Sequence, residues 1–340
     1  MPDGGRLAED ARAGGGGRDV TALARHWLDQ YGTIALATVL STAGSFPVPV
    51  GGQLLVGPDD RFEGSVSGGC VEAAVIAEAG TVMTGGTPKR LSYGVSDESA
   101  WQAGLPCGGT IEVFLARLRG PEDAAFLDAI LDARAARVPL VAETGLESGR
   151  HRVHRDVSTF DAPLKGQLEA SGVWVDAEGQ RFLQAFVPPV RLILVGAGHI
   201  AQVLSDLAIR VGFQVTVVDP RTAFSSAERF AGVALRHDWP GEALAALGLD
   251  SLTAVVTLAH EARLDDETLT VALRSPCFYV GALGSRRTHE KRVARLEEAG
   301  LSSEEIARLD APVGLNIGAR GPAEIAVSIL AVLIKARRGA

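Results

Sequence analysis

Two thiols in mirrored settings carry the most distinctive chemistry in this chain. Cys70 follows a glycine pair in Ser65-Val66-Ser67-Gly68-Gly69-Cys70-Val71-Glu72, and Cys107 precedes one in Gly104-Leu105-Pro106-Cys107-Gly108-Gly109. Glycine neighbours leave a thiol uncrowded. The pattern after Gly69 predicts a helix running to about Met83, so Cys70 is expected in its first turn. A helix N-terminus stabilises a thiolate, which is a nucleophile and a soft metal ligand. Glu72 in the same turn suits the helix dipole. Gly-Gly-Cys against Cys-Gly-Gly points to one shared site built from Gly68, Gly69, Cys70, Cys107, Gly108 and Gly109. The plainer reading of a lone cysteine is a small buried hydrophobe, and Cys277 beside Phe278 is assigned that way. No Cys-x-x-Cys occurs and the 7 histidines are scattered, which gives a zinc site little support.

A second stretch points to phosphate chemistry. Leu192 to Val195 form an apolar strand, followed by Gly196-Ala197-Gly198-His199-Ile200-Ala201. Ile200, Val203, Leu204, Leu207, Ala208 and Val211 then recur at helical spacing. Gln214 to Val218 make another strand, closed by Asp219. This is the order of a dinucleotide-binding βαβ unit. Gly196 allows the tight turn, Gly198 lets backbone approach a pyrophosphate, and Ala201 stays small enough for helix–strand packing. The helix N-terminus starting near His199 offers N–H groups to phosphate. Asp219 stands where a carboxylate accepts from a ribose hydroxyl, and Arg221 either pairs with it or reads a 2′-phosphate.

Two further glycine-punctuated loops follow. Gly281 to Arg287 leaves a strand and starts a basic helix with Ser285 as N-cap, so Arg286 and Arg287 can clasp phosphate. Arg292 and Arg295 further along read nearly as well as a solvated basic face. Gly314 to Gly321 holds Asn316 and leads into a helix from Pro322.

The elements that must position these residues fall into two groups. Residues 1–18 read as a disordered tail and Asp19 as the cap of a helix with an apolar face from Val20 to Tyr31. A strand over Thr33 to Leu40, a hairpin of Gln53–Val56 with Arg61–Val66, strands at Lys89–Tyr93 and Thr110–Ala116, and a helix over Pro121–Arg137 come next. Pro139–Thr144 is a strand, Gly145 to Gly179 is read as irregular, and Arg181–Val187 closes this half. In the irregular stretch His151 and His154, three apart, would face opposite sides of any strand, against a metal pair. Pro188-Pro189 is read as a linker. Beyond it strands and helices alternate, which predicts an open parallel sheet with helices on both faces. The expectation is thus an α/β chain with a tail at 1–18, an α+β domain at 19–187 and a Rossmann-like doubly wound domain at 188–340.

Composition narrows the partners. With 46% hydrophobic and 22% charged residues the 340-residue chain can build large cores. A net charge of −8 argues against nucleic acid or an anionic membrane as the main partner. No apolar run approaches the ~18 residues of a membrane span, no signal-peptide pattern opens the chain, and 3 cysteines make no disulfide framework. A cytoplasmic location is expected.

Seven stretches in order, GSFPVPVGG, GSVSGGCVE, GLPCGGTIEVFL, LVGAGHIA, VVDPR, YVGALGSRR and PVGLNIGARGPAEIAVSI, resemble the XdhC/CoxI family of accessory proteins for xanthine dehydrogenase, aldehyde oxidoreductase and CO dehydrogenase. The resemblance spans roughly Trp27 to Ile334. It implies an N-terminal cofactor-associated domain and a C-terminal Rossmann domain. It also implies binding of the molybdenum cofactor (molybdopterin or its nucleotide form), support of its sulfuration with a cysteine desulfurase, and insertion into a molybdenum hydroxylase apo-enzyme; a homodimer is expected. On that reading Cys70 and Cys107 become metal ligands or persulfide relays. The cofactor's phosphate or nucleotide would meet Gly196 to Ala201 or the Arg286–Arg287 loop. Relatives usually carry an aspartate where this chain has Asn316, which still donates and accepts hydrogen bonds.

The competing reading is an NAD(P)-dependent oxidoreductase, because a Rossmann sheet also serves hydride transfer and fold does not fix function. His199 in the phosphate turn is badly placed as a proton relay, leaving His260 and Asn316. A cofactor chaperone is the favoured reading over an enzyme.

Overall fold

β1 (Thr33–Ala43) is the central strand of the N-terminal unit, and its near-continuous apolar run reflects burial on both faces. Ala35, Ala37 and Val39 pack toward α2 (Glu72–Gly85), while Ile34 and Leu40 pack the other way. The computed structural model describes residues 19–44, 46–69, 71–94, 109–156, 160, 161, 164, 166, 172–259 and 261–339. These fall into two compact units divided between Pro188 and Pro189.

In the first unit, β2 (Gln53–Val56), β3 (Phe62–Gly64), β4 (Lys89–Tyr93) and β5 (Thr110–Arg119) join β1 in an antiparallel sheet of order β3-β2-β1-β5-β4. α2 covers one face. The other packs α1 (Val20–Tyr31), α3 (Gly120–Ala135) and a second antiparallel sheet. α1 starts where Asp19 accepts from the Thr21 N–H at 3.0 Å, and it ends at Gly32 with φ of 70°.

The second sheet corrects the expectation of an irregular stretch from Gly145 to Gly179. β7 (His151–His154) and β8 (Val173–Val175) lie within it, completing the order β7-β6-β9-β8 with β6 (Leu140–Gly145) and β9 (Arg181–Phe186). Polar residues masked these strands because one face of this sheet is partly open to solvent. The two histidines do part company. His151 stacks on Phe126 of α3 at 4.0 Å between ring centroids, while His154 meets Glu143 and Phe160. Burial pushes the His151 ring down to about 4.

The second unit is the expected Rossmann-like sheet, with order β12-β11-β10-β13-β14-β15 and every pair parallel. Its strands are β10 (Arg191–Val195), β11 (Gln214–Val218), β12 (Ala234–Arg236), β13 (Thr253–Thr257), β14 (Tyr279–Ala282) and β15 (Leu309–Asp310). Leu192 and Leu194 face α4 (His199–Arg210) and α9 (Pro322–Arg338). Ile193 and Val195 face α5 (Pro240–Leu247), α6 (Ala262–Leu273) and α7 (Arg286–Glu298). A short α8 (Ser303–Ala307) begins with the Ser302–Glu305 capping box. Cys277 is buried in this core, and burial pushes its thiol up. Among the described residues no helix is long and apolar enough to cross a membrane.

Arg292 departs from the reading of a solvated basic face. It is 1% exposed, and Nη2 donates to Asp265 Oδ2 at 3.1 Å and to the Leu283 carbonyl at 2.9 Å. Asp265 also accepts from the Thr257 hydroxyl at the end of β13. The pair ties α7 and the loop after β14 to α6. Arg295, one turn on, pairs with Asp266 and remains partly exposed. Replacing Arg292 with alanine leaves a buried carboxylate without its cation, so Arg292→Ala is expected to lower stability by about 3–5 kcal/mol. Arg295→Ala should cost no more than about 1 kcal/mol. Chemical denaturation of the two variants beside the wild type checks both.

Candidate functional site

The helix after the first glycine pair begins at Glu72, and that residue shapes the loop before it. Its carboxylate folds back over the preceding residues. Oε1 accepts from the Ser65 hydroxyl at 2.5 Å and from the N–H groups of Val66 at 3.0 Å, Ser67 at 2.9 Å and Gly68 at 3.2 Å. Oε2 accepts from the Ser67 hydroxyl at 2.6 Å and the Gly69 N–H at 2.8 Å. Burial would raise the carboxyl's pKa. The hydroxyls of Ser65 and Ser67 and the backbone N–H groups outweigh it and bring it from 4.5 to about 2. Sequence reading gave Glu72 only a dipole role. The available signal was the spacing itself, a carboxylate downstream of two hydroxyls and a glycine pair.

Gly68 and Gly69 take φ of 83° and 119°, which glycine alone adopts without strain. A Cβ on Gly68 would lie 2.6 Å from Pro47, whereas one on Gly69 would meet nothing within 4 Å. Gly109 is packed closely as well: a Cβ there would sit 2.4 Å from the Ala43 carbonyl and 2.6 Å from the Phe46 ring. Gly68 and Gly109 therefore share a neighbour, the Phe46–Pro47 segment. Cys70, Cys107 and Gly108 lie outside the described residues. Among the described residues no group of three or more His, Cys, Asp or Glu side chains is placed to hold a metal ion.

In the second unit the sheet order reverses between β10 and β13, so loops after the two strands diverge to opposite faces and leave a crevice. Gly196 turns the chain there with φ of 103°, and a Cβ would lie 2.6 Å from the Ala259 backbone nitrogen. Gly198 caps α4 without a side-chain hydrogen bond, and the space beside its Cα is open. His199 is exposed in the first turn, and Ala201 is fully buried.

Asp219 is 0% exposed. Oδ2 accepts from the Ala197 N–H at 2.8 Å and Arg221 Nη2 at 2.8 Å, while Oδ1 accepts from the Arg221 N–H and Nε, each at 2.9 Å. Burial would raise its pKa, but Arg221 and these N–H groups hold the carboxyl below its ordinary range. Donors of the chain itself thus fill the place expected for a ribose hydroxyl, and a ribose contact at Asp219 requires the Arg221 pair to open. Arg221 is the partly exposed member, stacked on Phe224 at 4.8 Å and lying 3.7 Å from Glu261.

Ser285 caps α7 by accepting from the Thr288 N–H at 3.2 Å, and Arg286 and Arg287 are exposed in that first turn. Since β14 is parallel to β10, this loop opens on the same edge of the sheet as Gly196. Asn316 is exposed in the loop before α9, which is held by the Ser328 hydroxyl donating to the Leu315 carbonyl at 2.8 Å. The His260 position lies outside the described residues.

These features define a protein with an α+β unit, whose sequence sets two thiols beside glycine pairs, and a parallel-sheet unit of Rossmann-like fold. Residues 192–333 match the XdhC Rossmann domain and residues 27–94 match the XdhC and CoxI family. The chain belongs to the XdhC and CoxI family. It is 32% identical over 303 residues to the molybdenum cofactor insertion chaperone PaoD of Escherichia coli, covering 89% of this chain and 83% of that one. It is 28% identical to a probable xanthine dehydrogenase subunit from Bacillus subtilis, covering 92% and 95%. A crystal structure described as a xanthine dehydrogenase from Bacillus halodurans superposes with a TM-score of 0.76 at 27% identity, over 94% and 96% of the two chains.

Two outcomes follow from the loop geometry. A folded-state pKa below the unfolded one makes the Glu72 contribution complete above about pH 4.5 and drains it as pH falls toward 2. Glu72→Gln is therefore expected to lose on the order of 3 kcal/mol at pH 7, and its deficit against wild type should shrink in thermal melts taken at progressively lower pH. Gly196→Ala places a methyl against the Ala259 backbone at a φ that L-residues avoid, and should cost on the order of 2 kcal/mol, read from the unfolding midpoint.

Proposed function

We propose that this chain carries the molybdenum cofactor and delivers it to a molybdenum hydroxylase apo-enzyme of the xanthine dehydrogenase type. The observation that carries the reading is the match to PaoD, a molybdenum cofactor insertion chaperone, at 32% identity over 83% of that protein's length. The cofactor supplies a metal held by soft sulfur and a pterin bearing a phosphate or nucleotide. The donor set of this chain fits such a group. Cys70 and Cys107 are soft ligands or sulfur carriers, Gly69 leaves an open approach beside the first of them, and Gly198 with the uncapped start of α4 offers N–H groups for phosphate. Arg221, Arg286 and Arg287 supply exposed or half-exposed cations for the same anion. Gly68, Gly108 and Gly109 flank the thiols in the sequence, and Ser285, His199 and Asn316 belong to the loops proposed to meet the phosphate.

The finer parts of the proposal are support of sulfuration through a cysteine desulfurase, clients that include CO dehydrogenase and aldehyde oxidoreductase types, a homodimeric assembly and action in the cytoplasm. In this role the chain's residues bind and orient the load and shield it.

A molybdopterin assay on purified protein tests the proposal, using acid–iodine oxidation and fluorescence under molybdenum-replete expression. Wild type is expected to retain pterin, and Cys70→Ala or Cys107→Ala to retain several-fold less. Absence of pterin together with tight NAD(P) binding would overturn the carrier reading and favour the oxidoreductase reading of the C-terminal unit.

A further inference from the structure

Outside both glycine loops, a polar seam runs through the core of the N-terminal unit. Between its two sheets and the helices α1 and α3 lies a cavity of about 20 Å³. Phenylalanine and aliphatic side chains make most of its wall, but Thr21, Thr38, Gln53, Thr144, His151 and Gln184 also line it. Thr38 and Gln53 belong to the five-stranded sheet, and Thr144, His151 and Gln184 to the four-stranded one. Part of this set pairs directly. Gln53 Nε2 donates to Gln184 Oε1 at 3.4 Å, and Gln184 Nε2 donates to the Gly51 carbonyl at 3.0 Å. Each carboxamide nitrogen has a second hydrogen to give.

His151 is left incomplete. One face of its ring stacks on Phe126, and Nδ1 lies 2.9 Å from the Thr144 hydroxyl. Nε2 is shut off from solvent and has no hydrogen-bond partner among the described residues. The ring is neutral at pH 7, because burial pushes it down to about 4. A neutral imidazole donates at one nitrogen and accepts at the other, so Nε2 calls for a partner in either tautomer. The walls narrow what that partner is. No other titratable side chain is among the described residues that line the cavity, which excludes an ion. A volume of about 20 Å³ exceeds the ~10–15 Å³ that one water requires and is far below the ~150 Å³ that accepts a benzene-sized guest. Water both donates and accepts, and so serves Nε2 in either tautomer. We infer that the cavity holds one ordered water, bound to His151 Nε2 and to a hydroxyl or carboxamide of the five-stranded sheet. That water is a second cross-link between the two sheets, beside the Gln53–Gln184 bond. The inference stands independently of the carrier function proposed above.

A crystal structure of the full chain at a resolution that shows ordered water, together with histidine-ring NMR on the same protein, tests the site. A single density peak is expected within about 3.2 Å of His151 Nε2 and of a polar atom of Thr38 or Gln53. His151→Phe keeps a stacking ring and removes the nitrogen, so the peak is expected to vanish while circular dichroism stays that of wild type. In wild type the His151 ring signals are expected to remain those of a neutral imidazole as pH falls through 6.5, and to show a dipolar cross-peak to a long-lived water. An empty cavity, a protein group bonded to Nε2, a peak that persists in His151→Phe, or ordinary titration near 6.5 overturns the site. If His151→Phe fails to fold, the wild-type density and cross-peak decide alone.

Discussion

A buried carboxylate accepting six hydrogen bonds from its own loop is the constraint on which the N-terminal glycine motif depends. The turn at Gly68 and Gly69 aims successive N–H groups at one point, the kind of concavity that binds anions from solution. Here Glu72 supplies the anion from within. Without it, the N–H groups of Val66, Ser67 and Gly69 would lose their acceptor, while that of Gly68 would keep the Ser65 hydroxyl at 2.8 Å, at a cost above that of one lost hydrogen bond. The start of α2 and the approach of Gly68 to Pro47 follow from the same contact.

The C-terminal unit repeats the device with different parts. Asp219, fully buried at the end of β11, accepts from the Ala197 N–H in the glycine turn and is neutralised by Arg221. In each unit a carboxylate further along the chain returns to a glycine loop and fixes it. The two differ in charge balance. Glu72 is held by hydroxyls and N–H groups alone, whereas Asp219 is also paired with a cation, the partly exposed Arg221.

Much of the C-terminal unit was legible in the sequence, because a parallel sheet buried on both faces writes its strands as short apolar runs such as Leu192–Val195 and Ala254–Leu258. The glycine turn and Ser285 cap were legible for a similar reason, since each needs a specific residue type at a specific place. Other features were hidden. β7 and β8 carry His, Arg and Trp on a partly open sheet, so no periodic apolar signal marks them. Arg292 sits in a strongly basic helix, and only the three-dimensional position of Asp265 distinguishes it from its solvated neighbours. The role of Glu72 and the contact of Asp219 with the Ala197 N–H were hidden because hydrogen bonds that close a loop on itself leave no trace in hydropathy, whereas the pairing of Asp219 with Arg221 was among the readings the sequence offered. Gly68 approaches Pro47 and Gly109 approaches Phe46, while the two thiols of the mirrored motifs lie outside the described residues.

Loops held by internal carboxylates are already ordered before any ligand arrives. A partner docking on them forgoes most of the ordering entropy that a flexible loop would lose. The same rigidity acts on departure: little relaxation is gained when the ligand leaves, so the free energy of the loaded and empty states differs mainly by the contacts themselves. Loops built this way form a cradle rather than a clamp, and in the carrier role proposed for this chain, handover would be governed by how well the recipient competes for those contacts.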